Sequence, residues 1–112
     1  MLFHVVPPRD WTAAPGEPYA PASLAAEGFV HCSDGEAAAL AVAEAYYREV
    51  PGPLLLVGLD EARLTAPVRR EGGYPHVYGP VERTAVTAVR ELRRAPDGRV
   101  TGTAPWPGEA GR

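Results

Sequence analysis

The stretch from Pro53 to Leu59, which contains Leu54-Leu55-Leu56-Val57, constrains this chain more than any other. It has the length of a β-strand, and alternate strand residues face opposite sides, so a continuous apolar run puts hydrophobic side chains on both faces. A strand of that kind has to be covered on both sides, which predicts the central strand of a sheet. The run is also far short of the ~20 apolar residues that a bilayer-crossing helix needs. With no basic segment followed by an apolar one at the N-terminus, neither a membrane span nor a secretion signal is expected. The single cysteine, Cys32, has no internal disulfide partner, which fits a reducing, cytoplasmic location.

The other elements follow from apolar spacing and from Pro and Gly punctuation. Leu2 to Val6, with His4 at its middle, predicts a first strand stopped by Pro7-Pro8. Arg9 to Ala14 suits one helical turn carrying Trp11, and Pro15, Gly16, Pro18 and Pro21 then impose an extended loop before a short helix over Ser23 to Glu27. Gly28 to Cys32 predicts a second strand, in which Phe29 and His31 share the face opposite Val30 and Cys32. Ser33-Asp34-Gly35-Glu36 has the spacing of a capping box, so a helix is expected from Asp34 to Glu49, with Leu40, Ala43, Tyr47 and Val50 as its core stripe and Pro51-Gly52 as its end. Asp60 to Leu64 predicts a turn or short helix, Pro67 to Arg70 a brief strand before Gly72-Gly73, and Ala85 to Leu92 the last long strand. Asp97-Gly98 then predicts a hairpin turn into Arg99 to Thr103, followed by an unstructured tail from Pro105 in which only Trp106 docks. A chain of 112 residues, 46% hydrophobic and 22% charged, suits one globular α+β domain. Its net charge of -3 argues against nucleic acid as a partner, and it assigns no oligomeric state.

All three histidines, His4, His31 and His76, lie in apolar or Gly/Pro-constrained segments. Imidazole exchanges protons near neutral pH, so their convergence would make a competent polar pocket; the alternative for each is to satisfy a buried carbonyl. His31 sits just before an expected helix N-terminus, a place that favours a small anionic ligand across His31 and Ser33, although Ser33 is better explained as the helix cap. Cys32, on the opposite strand face from His31, reads as a buried, inert thiol. The His and Cys spacings match no familiar zinc pattern, so no metal is expected. In the segment from Glu71 to Pro80, read as a Gly- and Pro-held loop, Tyr74 and Tyr78 are candidates to stack on a planar ring and Glu71 to accept from a sugar hydroxyl, with a rigid connector as the alternative. Trp11 and Tyr19 read as packing residues or as parts of a lid, with packing the better account.

Phe3-His4, Tyr19-Ala20-Pro21-Ala22-Ser23-Leu24, Glu27-Gly28-Phe29-Val30-His31-Cys32-Ser33 and Pro75-His76-Val77-Tyr78-Gly79-Pro80, in this order, resemble the bacterial family called domain of unknown function 952, over about residues 2–95. That family's fold is similar to the ADP-ribosyltransferase fold, a split, strongly bent β-structure with flanking helices whose cleft holds NAD in the active enzymes. The resemblance implies a single such domain over residues 1–104 with a flexible tail over 105–112, and NAD as candidate cofactor. It implies catalytic roles for His4, on the first core strand, and for His31 and His76. Ser33, Tyr19, Tyr74, Tyr78 and Glu71 are then ligand contacts, and Glu71, His76, Glu82 and Glu91 are candidates for the third catalytic position. The small, anionic or nucleotide-like ligand would undergo ADP-ribosyl or related transfer. The alternatives are a non-catalytic metabolite-binding module and a histidine-based lyase, cyclase or isomerase.

Overall fold

A computed structural model describes residues 1–106. The chain runs β1 (Leu2–Val6), α1 (Pro8–Trp11), α2 (Ala22–Glu27), β2 (Val30–His31), β3 (Ser33–Asp34), α3 (Glu36–Tyr46), β4 (Leu54–Leu59), β5 (Val68–Glu71), β6 (Tyr74–Val77), β7 (Val86–Arg94) and β8 (Val100–Pro105), with 3-10 turns at Glu61–Arg63 and Arg83–Ala85. This is a small α+β fold with two antiparallel sheets. One has five strands in the order β3-β1-β4-β7-β8, and the other has three in the order β2-β6-β5.

The apolar run occupies the middle of the larger sheet as β4, and all six of its residues are buried. Leu54 and Leu56 pack with Ala39 and Ala43 of α3, Val5 and Leu92. Leu55, Val57 and Leu59 face the other side, where Val30 and Val77 of the small sheet join Trp11 and Tyr19. Each such side chain taken from water contributes about 2 kcal/mol before entropy is counted, so β4 is the strand that holds the two halves of the core together. Among the described residues no helix is long and apolar enough to cross a membrane.

Four local expectations are corrected. Ser33 does not cap a helix: it is buried in β3 opposite Phe3 of β1, and α3 starts two residues later than expected, after Gly35 at φ 89°, with no side-chain cap. Pairing with β1 satisfies that backbone better than a cap does, and the intervening glycine supplies the sharp turn an L-residue resists. The expected strand Gly28–Cys32 is shortened to β2 in the small sheet, and an unexpected strand, β3, follows it in the large one, with Cys32 as the crossover residue donating its N–H to the Pro75 carbonyl at 3.1 Å. The helix also ends early, at Tyr46, and the guanidinium of Arg94 donates to the carbonyls of Tyr47, Val50 and Gly52 beyond it. A side chain from β7 thus serves the carbonyls that end the helix, a partner no local pattern reveals. Finally, the segment after Glu71 is a hairpin strand rather than a loop. Gly72 and Gly73 both have positive φ, which suits a two-residue hairpin turn, and the buried Pro75 sits on β6 beyond His76, the last residue that β2 reaches.

Pro105 closes β8, paired with Arg90, and Trp106 packs against the core; the rest of the expected tail, residues 107–112, lies outside the described residues.

Candidate functional site

Period-two geometry sorts the small sheet into two faces. Val30, Pro75 and Val77 are buried on one, and Phe29, His31, Arg69, Glu71, Tyr74 and His76 fall on the other. That polar and aromatic face forms one wall of a cleft of about 540 Å³. Phe3 and Val5 of β1 and Val42, Tyr46 and Tyr47 from α3 and its end form the opposing wall, with Cys32 and Ser33 also contributing to the lining. Tyr46 is 74% exposed and Tyr74 41% exposed, high values for rings of their size, and both line this cleft.

His31 and His76 are directly paired across β2 and β6, and their imidazole centroids stand 5.5 Å apart, nearly perpendicular. Each has its own carboxylate. The Glu27 carboxylate accepts from His31 Nε2 at 2.9 Å, because Gly28, left-handed at φ 91°, ends α2 and turns the chain straight into β2. The Glu71 carboxylate accepts from His76 Nδ1 at 2.8 Å and from the Tyr78 hydroxyl on the same oxygen. The Tyr78 hydroxyl, followed by the His76 bond, holds the Glu71 carboxyl below the usual carboxylate range, so it is ionised at neutral pH. Phe29 stacks on His76 with centroids 4.0 Å apart and ring planes at 16°, which fixes the imidazole plane. Because carboxylates accept and do not donate, His76 Nδ1 and His31 Nε2 are the donors in these bonds, which leaves His76 Nε2 and His31 Nδ1 as the acceptor nitrogens of the neutral rings.

The structure therefore brings His31, His76, Ser33, Glu71 and Tyr74 to one cleft, and it corrects the expectation for His4 and Tyr19. His4 is buried in the core, its Nδ1–H donating to the His31 carbonyl at 2.6 Å and its Nε2 accepting from the Tyr19 hydroxyl at 2.8 Å; neither residue lines the cleft. Burial pushes the His4 imidazole down to about 4 and the Tyr19 hydroxyl well up, so both stay neutral across the ordinary pH range. The buried carbonyl that His4 satisfies is the backbone of His31, which makes His4 a brace behind the site. Tyr78 also lies outside the lining and reaches the site through Glu71 and through the Phe29 ring, whose centroid is 5.3 Å away. Cys32 lines the cleft at its buried end, and burial, followed by the Asp34 charge, pushes its thiol up to about 12. Asp34, beside Ser33, is gripped by Arg70, which also holds Glu61 and ties β5 to β3. Among the described residues no group of three or more His, Cys, Asp and Glu side chains is placed to hold a metal ion.

Sequence reasoning missed Glu27, Phe29 and the whole α3 wall. Two signals were present: Glu27 stands four residues before His31, and Val42 and Tyr46 share a helix face at i,i+4 that the core stripe does not use.

No curated protein matches this sequence. Among solved structures, the chain resembles the crystal structure of protein CC0527 from Caulobacter crescentus, with TM-score 0.76 and 27% identity over 89% of this chain and 92% of that one. The solution NMR structure of CC0527 matches with TM-score 0.63 and 27% identity over 88% and 89% of the two chains. A family model described as "Protein of unknown function (DUF952)" matches residues 5–89, well over half of the sequence. The chain belongs to the DUF952 family.

Proposed function

We propose that the cleft is the active site of a small-molecule enzyme. Its ligand carries a planar ring that lies between Tyr46 and Tyr74, and the bond acted on joins that ring to a sugar carbon. The observation that carries this reading is the pair of adjacent imidazoles, each oriented by a carboxylate, beside an ionised Glu71 in an aromatic-walled cleft. When a ring–sugar bond breaks, its electron pair leaves with the ring nitrogen and positive charge develops on the sugar carbon. The Glu71 carboxylate stabilises that charge, while an imidazole takes the proton of the incoming hydroxyl or water. The resemblance to the ADP-ribosyltransferase fold points to NAD within this class, while the paired carboxylates of the cleft favour its unphosphorylated members, the nucleosides and pyridinium ribosides. In that comparison the catalytic role expected of His4 on the first strand passes to His31 and His76, since His4 is sealed in the core.

The test is release of free base from NAD, nicotinamide riboside and adenosine, followed chromatographically with and without a hydroxyl acceptor. Wild type is expected to release base from at least one of them, and His76→Ala and Glu71→Gln to lose about 100-fold or more of that rate. No release by the folded wild type, or full activity in both variants, overturns the reading. Ligand binding without turnover identifies a non-catalytic binding module instead.

A further inference from the structure

Resting on the ring-binding reading above, we infer that the cleft takes an unphosphorylated, neutral or cationic planar heterocycle, of the nucleoside or pyridinium-riboside class, and rejects the phosphorylated counterparts. The argument is one of charge placement.

Proteins hold phosphates with Arg or Lys side chains and with free backbone N–H groups at helix N-termini. Among the described residues neither kind lines this cleft. The chain contains no lysine; of the two arginines on the small sheet, Arg70 is bound to Asp34 and Glu61, while Arg69, paired with His76 across β5 and β6, lies over the Tyr78 ring at 5.2 Å and outside the lining. Gly35 and Glu36, which open α3, also stand outside the lining, and Glu36 puts a carboxylate in that first turn.

The histidines do not supply the missing positive charge. Each is paired with its own carboxylate, so Glu27, His31, Glu71 and His76 together carry two negative charges when both imidazoles are neutral, and none when both are protonated. Counting the nearby Arg69 in full still leaves a net negative charge with neutral imidazoles. A phosphate entering here meets the Glu71 carboxylate with only Arg69, outside the lining, to offset it, whereas a neutral or cationic ring meets the exposed rings of Tyr46 and Tyr74, which attract positive charge.

Two nested ligand series separate this inference from the reading beneath it: adenosine, AMP and ADP-ribose, and nicotinamide riboside, its mononucleotide and NAD. Binding of each to the full chain at pH 8 is measured by calorimetry or by ligand-observed NMR, at low and at high salt. The unphosphorylated member of each series is expected to bind about tenfold more tightly than the phosphorylated ones at low salt, the order of effect that like charges a few ångströms apart have at a protein surface. High salt is expected to narrow the gap. Glu71→Gln is expected to narrow it too, and the salt series on wild type makes the same test without a substitution. Phosphorylated members that bind as well as or better than the nucleosides overturn the charge inference and leave the ring-binding cleft standing. If no member of either series binds the folded protein, both fall together.

Discussion

Three histidines in one small chain end up in two environments, and the neighbours of each ring explain the division. His31 and His76 sit opposite each other on a strand pair, where cross-strand side chains meet, while His4 spends both nitrogens on core partners. Their strand faces were legible in the sequence, since period two puts His31 away from Val30 and Cys32, and both of the latter are buried as that alternation requires. Their partners were not legible, because Glu71 and His76 meet across a hairpin that the Gly- and Pro-rich composition disguised as a loop. At this scale the testable residue is Cys32. It lies at the buried end of the cleft with its thiol pushed up to about 12, and the thiolate is the reactive form. Iodoacetamide at pH 8 is therefore expected to leave Cys32 of the folded protein unmodified for hours and to label it at once in urea. Rapid stoichiometric labelling without denaturant would show a thiol accessible to chemistry in the cleft.

At the scale of elements, β4 supports the site from behind, through its neighbour β1, which supplies Phe3 and Val5 to the cleft wall. Gly58 breaks an otherwise large-residue strand, and it lies opposite Phe3, a residue of the cleft wall. A Cβ added at Gly58 would stand 2.8 Å from Thr87 Oγ1 and 3.5 Å from Phe3 Cε1. The glycine thus leaves room for the Thr87 side chain of β7, with the Phe3 ring at ordinary contact distance beside it, and for the irregular register between Gly58 and Leu59 against β7. Gly58→Val is expected to destabilise the protein by about 1–3 kcal/mol through overpacking, and to weaken ligand binding by displacing Phe3. Urea denaturation with a parallel titration checks both effects; unchanged stability would mean that β4 and β7 separate more easily than their close packing indicates. The sequence marked β4 as central because its apolar run covers two faces. It did not mark where α3 begins, since the Ser33 hydroxyl and the Ser33 strand pairing compete for one backbone, and only the presence of β1 decides between them.

For the whole molecule, His4 links the two sheets, bonding from β1 to the β2 backbone, and its protonation is coupled to folding. The folded imidazole sits at about 4 because of burial, against an ordinary 6.5 that the unfolded chain regains. Between those values the unfolded state binds the proton and the folded state does not. His4 therefore contributes its full stabilisation above about pH 6.5 and loses it as the pH falls towards 4, a change on the order of 3 kcal/mol. Denaturant unfolding at pH 7 and pH 4.5 is expected to show that loss in wild type and a flatter profile in His4→Gln; equal pH profiles would assign the loss to other groups. The sequence alone determined the α+β class, the central apolar strand, most element positions and the face on which His31 lies, because alternation and turn chemistry act between residues close along the chain. Tertiary structure alone decided that the small sheet is a separate three-stranded unit facing α3 across a cleft, that the β1 histidine is a core brace, and that Glu27, Phe29 and Tyr46 complete the site. Burial, cross-strand pairing and the desolvation that neutralises His4 are set by residues far apart in sequence, and no local pattern carries them.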